Sequence, residues 1–394
     1  MSDIVSGSLD LSALRADTPS CIATVHLDHA AASPTPEPVH RAMIAHLDLE
    51  RRIGGQAAAE RSAEELDTLY SELAALIGAP AGEIAFAETT AGAWRTVLDA
   101  LPLADGDRML MSQVGSDSQR IVDQARRRGL EVDMVPNTPE GLADTAALEA
   151  MIGPQTRLIW MDHAPADAGV LNPAEDVGRI ARRYDLIYVV DASQSVGQIA
   201  LDVEQIGCDI LVGAGQRFLR APQGTAFLFF RSAFLERQKA PNLCLPQIDG
   251  LFLQGRDSRS RLSFESCGHS AAARIALGRA ARYARAIGLS RIEARVTALA
   301  ATLRTTLAEV PGVTVHDKGR RHTGIITFTK AGERAAATRL RLQTRGIALS
   351  VILPRQTPKN SPMHAPEELV RASVHYFNTE AELMRLVDAV KRSG

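Results

Sequence analysis

The sequence predicts an α/β protein: a mostly parallel seven-stranded sheet with helices on both faces, joined to a smaller C-terminal α+β domain. Three observations lead there. From about residue 35 to 240, short apolar runs alternate with amphipathic segments, so strands and helices are expected in turn. Most of the runs are continuously apolar and bounded by turn residues, as strands covered on both faces are. A chain of 394 residues also exceeds the size at which one hydrophobic core keeps growing, so two domains are expected.

The seven strands are expected at Ile84–Ala87, Arg108–Met111, Glu131–Val135, Leu158–Met161, Ile187–Val190, Ile210–Val212 and Thr225–Phe230. Helical candidates between them include Ser118–Arg128 and Pro173–Arg183. The second has Asn172 as its expected cap, Pro173 at its first position and Glu175 close behind. Near Glu236–Ser258 the periodicity lapses, and Pro241, Pro246, Gly250 and Gly255 mark a connection. Two long helices follow, roughly Ala271–Ala286 and Ser290–Leu307. Strands are then expected at Thr314–His316, Thr323–Thr329, Ala348–Val351 and Arg371–His375, with a helix at Arg334–Gln343 among them. Thr379 with Glu382 three residues on is a capping box opening the last helix. The division that follows is a large domain over residues 22–245 and a small one from 1–21 with 246–394.

Composition narrows the function classes. Apolar residues make up 45% and charged residues 23%, ordinary for a globular chain, and no stretch approaches the length needed to span a bilayer. A formal net charge of −2 gives no electrostatic case for nucleic acid or an anionic membrane. Cys21, Cys208, Cys244 and Cys267 form no CxxC pair, so neither a zinc site nor a disulfide framework is signalled, and reduced thiols in a cytoplasm fit best. Met1 to Ala16 lacks the apolar run of a signal peptide. Lysine occurs only at Lys239, Lys318, Lys330, Lys359 and Lys391.

Five segments carry recognisable motifs, in order: Leu27-Asp28-His29-Ala30-Ala31; Phe86 to Trp94, with Thr89 and Thr90 before a helix; Asp191-Ala192-Ser193-Gln194-Ser195-Val196-Gly197-Gln198; Phe218 to Thr225; and Arg371 to Thr379. Together they resemble the class V aminotransferase family, which includes cysteine desulfurases, selenocysteine lyases, isopenicillin-N epimerase and hercynylcysteine sulfoxide lyases. The likeness runs from roughly residue 22 to 392. It implies the type I fold of enzymes dependent on pyridoxal phosphate (PLP), a homodimer, and amino-acid-like substrates.

By that resemblance Asp191 would keep the cofactor's pyridine nitrogen protonated and Gln194 would bond its phenolic oxygen. The bland alternative is that Asp191 caps a following helix. Thr89 and Thr90 would cradle the phosphate at a helix start, where exposed N–H groups attract anions, or would simply cap that helix. Arg371 would grip a substrate carboxylate, or pair with an acid such as Glu265. His163 has acid–base chemistry near neutral pH, and with Asp167 it falls where the family contacts substrate or ring.

The family's Schiff-base lysine is expected where this chain has Arg217. A Schiff base needs a neutral primary amine, whereas a guanidinium stays protonated to above about pH 12. Arg217 can therefore neither form the aldimine nor act as an ordinary base. Gln216, Phe218 and Leu219 are no better, so only a distant residue such as Lys359 could relocate the amine. Ala91 and Ala214 stand where the family has hydroxyls for the phosphate, and Gln113 to Asp117 supplies no aromatic ring to stack on the cofactor. Three expectations remain: a repurposed enzyme that binds PLP noncovalently or another small carboxylated ligand in its place; a pseudoenzyme acting as a binding or partner subunit; and an ordinary PLP lyase using Lys359.

Overall fold

Seven strands form one sheet: β1 (Ile84–Ala87), β2 (Arg108–Met111), β3 (Glu131–Met134), β4 (Thr156–Asp162), β5 (Ile187–Asp191), β6 (Ile210–Ala214) and β7 (Ala226–Phe230). The structure is a computed structural model, and it describes residues 9–112, 119–238, 265, 268–317, 319, 321–353 and 368–392. The sheet order is β1-β7-β6-β5-β4-β2-β3. Strands β2 to β6 run parallel, and β7 runs antiparallel to both β6 and β1.

Alternation along these strands divides the sheet's two faces between two cores. Leu110, Ile159, Met161, Val190, Leu211, Phe227 and Phe229 enter one. Met109, Met111, Leu158, Trp160, Val189, Val212 and Leu228 enter the other, with Trp94, Val97 and Leu98 from the helix Thr90–Ala100. Both faces are covered, which explains why the strands read as continuous apolar runs and not as alternating ones. Each expected strand exists, with ends displaced by two residues or fewer.

The second sheet is antiparallel, ordered Ser350–Ile352, Leu369–Ser373, Ile325–Lys330, Val313–Val315. Ile326, Phe328, Val370 and Ala372 join the first of the two cores together with the long helix Leu289–Ala308 and the last helix Glu380–Lys391. The capping box at Thr379 forms as expected. None of the described helices is long and apolar enough to cross a membrane.

Three expectations fail in instructive ways. Ala348–Val351 is not one strand. Ile347–Ala348 pairs in parallel with Val25–His26 near the N-terminus, while Ser350–Ile352 pairs with Leu369–Ser373. Asn172 does not cap the helix Ala174–Arg183, whose N-cap is Pro173. Its side chain instead accepts from Ala143 N at 2.9 Å and donates to Asp162 O at 2.7 Å, tying the loop after β4 to the sheet. Arg371 does face an acid, but it is Asp28 at 3.7 Å and not Glu265, which accepts from Tyr70 Oη and from Phe86 N. Ahead of β1, where no element was expected, the described residues form five α-helices, among them Glu37–Ile53 and Ala63–Ile77. Ala63–Ile77 crosses Ala271–Ile287 closely at Gly278, where a Cβ would sit 2.9 Å from Leu69 Cα.

Candidate functional site

Asp191 ends β5 at the carboxyl edge of the parallel strands, the edge where open α/β sheets bind ligands. It is buried, and both carboxylate oxygens have partners. Oδ1 accepts from Ser193 N at 2.8 Å, and Oδ2 accepts from the indole Nε1 of Trp94 at 2.7 Å. The turn after Asp191 is not helical and the next helix, Val203–Ile206, is capped by Asp202, so the capping alternative fails. Burial pushes the Asp191 carboxyl up, against the opposing pull of Ser193, the Arg217 guanidinium and Trp94.

His163 follows β4, and its N–H donates to Asp191 O at 2.9 Å. Its Nδ1 meets Ser195 Oγ at 3.0 Å. Burial, reinforced by the charge of Arg321, lowers the imidazole to about 4. His163 is therefore neutral at pH 7 and a weak base. Gln194 Nε2 donates to Ala30 O at 3.0 Å, which joins this turn to the N-terminal motif. Gln194 Oε1 and Ser193 Oγ are buried without a hydrogen-bond partner among the described residues. Unpaired buried acceptors of this kind are uncommon.

Arg217 lies in the loop that turns from β6 into β7. That loop is pinned at both ends, by Gly215 N to Thr225 O and Ala221 N to Gly215 O, each 2.9 Å. Gln216 O accepts from Ser33 N at 2.8 Å. Arg217 is only 9% exposed, and its charge favours the ionised form of Asp191. Gly197, at φ +89°, allows the 192–198 turn to press against this loop, since a Cβ there would lie 2.4 Å from Phe218 O.

Thr89 caps the helix Thr90–Ala100 by accepting from Gly92 N at 3.0 Å, while Thr90 is buried in its first turn. Trp94, one turn on, carries the bond to Asp191. Arg371 sits on Leu369–Ser373 opposite Thr327 and Ser350. Its Nε donates to Ser350 Oγ at 2.9 Å and its Nη1 to Ala166 O at 2.9 Å, beside Asp167. Its Nη2 faces Asp28 Oδ1 at 3.7 Å, longer than a hydrogen bond. The structure thus brings Asp191, Gln194, His163 and the helix after Thr89 together through hydrogen bonds, with the Arg217 charge acting on Asp191. Arg371 and Asp167 sit together on a second one.

The sequence reading gave Trp94 no role, although it quoted the residue. Its signal was an outsized aromatic on the sheet-facing side of the helix after Thr89. Lys330 and Lys391 are the two lysines among the described residues; the first bonds Pro311 O at 2.6 Å and the second ends the last helix. Lys359, Lys239 and the segment Gln113 to Asp117 lie outside the described residues.

Comparison with known proteins bears on the class. The family model described as aminotransferase class-V matches residues 25–386, and the chain belongs to that family. It is 27% identical over 393 residues to a probable cysteine desulfurase of Methanothermobacter thermautotrophicus, covering 96% of each chain. It is also 27% identical to one from Halobacterium salinarum, covering 98% of this chain and 96% of that one. The apo structure of a cysteine desulfurase from Thermococcus onnurineus superposes with a TM-score of 0.85 at 24% identity over 98% of each chain. A complex of a cystine C–S lyase with its product cysteine persulfide superposes with a TM-score of 0.84 at 20% identity, over 95% of this chain and 99% of that one. The fold is that of the type I PLP-dependent enzymes.

Among the described residues, none beside Asp191 is a lysine that could hold PLP covalently. Lys330 bonds Pro311 O and Lys391 ends the last helix, both oxygens of Asp191 already accept an internal N–H donor, and Ala91 and Ala214 bring no hydroxyl.

Proposed function

We propose that this chain is a cysteine-desulfurase-like member of the class V family repurposed to bind a small, amino-acid-like carboxylated ligand, with PLP held noncovalently or not at all. The observation that carries this reading is a nine-tenths buried Arg217 beside Asp191, on a loop fixed at both ends. A guanidinium in that position supplies a permanent cation and no nucleophilic amine. Arg371, oriented by Ser350 and Ala166, is the proposed carboxylate grip, with Asp167 at the same wall. The unpaired Gln194 Oε1 suits a ligand ammonium. His163 is the proposed proton acceptor, limited by its depressed basicity. The family resemblance supports a homodimer in a reducing cytoplasm, with residues 22–245 as the ligand-bearing domain.

A second reading, a pseudoenzyme that serves as a binding or partner subunit, is favoured by the internal N–H donors that Asp191 accepts on both oxygens. The third, a lyase using Lys359, is settled by the same measurement. Purified protein is mixed with PLP, its visible spectrum is followed, and the mixture is reduced with borohydride before peptide mass analysis. The expected outcome is no reduced adduct on any lysine. A stoichiometric adduct on Lys359 would end the lysine-less reading. Titration of amino and keto acids by calorimetry then separates the first two readings: saturable binding lost in Arg371→Gln supports the first.

A further inference from the structure

Trp94 marks a departure from a vitamin-B6 site that does not depend on Arg217. Its indole Nε1 donates to Asp191 Oδ2 at 2.7 Å, with both side chains buried. An indole N–H is a donor only and keeps its proton at any ordinary pH. It therefore offers the Asp191 carboxylate what a protonated pyridine would offer, an aromatic N–H, but from within the chain. We infer that Trp94 is a specificity-determining residue that closes the cleft to pyridine rings from inside, so that the site is PLP-free rather than a loose PLP site. This goes beyond the proposed function, which leaves PLP open; it takes from that reading only the location of the cleft.

Two further observations support the assignment. The other oxygen of Asp191 is occupied by Ser193 N, and the Arg217 charge already offsets the carboxylate, so a second cation gains little there. Trp94 is held in place, packed with Ala93, Val97, Val212 and Trp160 in the second core on a helix whose cap is formed. Expelling its N–H from Asp191 would leave a buried donor unpaired.

The test compares wild type, Arg217→Lys, Trp94→Phe/Arg217→Lys and Trp94→Ala/Arg217→Lys. Each is titrated with PLP and with pyridoxine 5′-phosphate, which cannot form an imine. Folding is checked by circular dichroism and thermal unfolding. The expected result is no saturable binding to wild type and no aldimine band in Arg217→Lys alone. Such a band is expected in at least one double variant, with affinity for pyridoxine 5′-phosphate at least ~10-fold tighter than in Arg217→Lys, about 1.4 kcal/mol. Saturable wild-type binding of pyridoxine 5′-phosphate that Asp191→Asn weakens would overturn the inference and leave the proposed function standing. An aldimine in Arg217→Lys alone would also overturn it, as would two folded double variants that gain nothing. Borohydride trapping in wild type would sink the proposed function and this inference together. The wild-type titration decides even if a variant fails to fold.

Discussion

The guanidinium of Arg220 lies 4.1 Å from the centre of the Phe377 ring and donates to three neutral oxygens. These are Pro34 O at 3.0 Å, Tyr376 Oη at 2.6 Å and Thr18 Oγ1 at 2.6 Å. The side chain is almost fully buried, and it connects the N-terminal helices and the C-terminal strand to the loop that carries Arg217. Hydrogen bonds to a charged group contribute about 1.5–3 kcal/mol each, and their loss strands three acceptors. Arg220→Ala is therefore expected to lower unfolding free energy by about 3 kcal/mol or more, measured by urea titration. A loss below about 1 kcal/mol would show that the buried cation is not structural.

Acid should weaken the fold before the carboxylates titrate. His29 and His375 are fully buried and held well below their ordinary range, chiefly by burial, and His163 is lowered to about 4. A folded-state value below the unfolded one means that the unfolded chain binds more protons. Stability is then complete above about pH 6.5 and falls as pH drops toward 4. Urea midpoints at pH 7 and pH 5 should differ clearly, and His163→Gln should reduce that difference. Equal midpoints would contradict the buried neutral imidazoles.

Gly197→Ala combines a left-handed φ with a clash against the backbone of Phe218 and Leu219, the residues following Arg217. A cost of about 1–3 kcal/mol is expected from strain and displacement. Ligand binding in the cleft should fall with it, because the pressed loop carries the cation. Calorimetry on the folded variant checks this; unchanged affinity would separate the turn from the site.

Thr89→Ala tests whether that hydroxyl serves the helix or a phosphate. The cap to Gly92 N predicts a loss of about 1 kcal/mol in stability, with no change in affinity for a carboxylated ligand. Thermal unfolding and calorimetry together give the answer, and a weakened ligand with unchanged stability would reverse the assignment.

The sheet was legible because its strands lie between two apolar layers, so Val189 and Val190 face opposite cores and both must be apolar. The places of Asp191 at the end of β5 and His163 just after β4 were legible from the strand pattern, whereas their proposed roles and that of Gln194 came from resemblance to the family. Asn172 was misread because a local cap signal competes with distant partners, and here Ala143 and Asp162 won its side chain. The division of residues 347–352 between two strands depends on Val25–His26, more than three hundred residues earlier. Trp94 stayed silent for the same reason: its bond reaches 97 residues along the chain.

Strand β7 turns back against β6, and its start and β6's end clamp the 215–221 loop like the two jaws of a vice. Whatever side chain stands at position 217 inherits a fixed place to act from. Evolution could thus trade one head group for another there, altering the reaction repertoire while leaving the scaffold's geometry untouched.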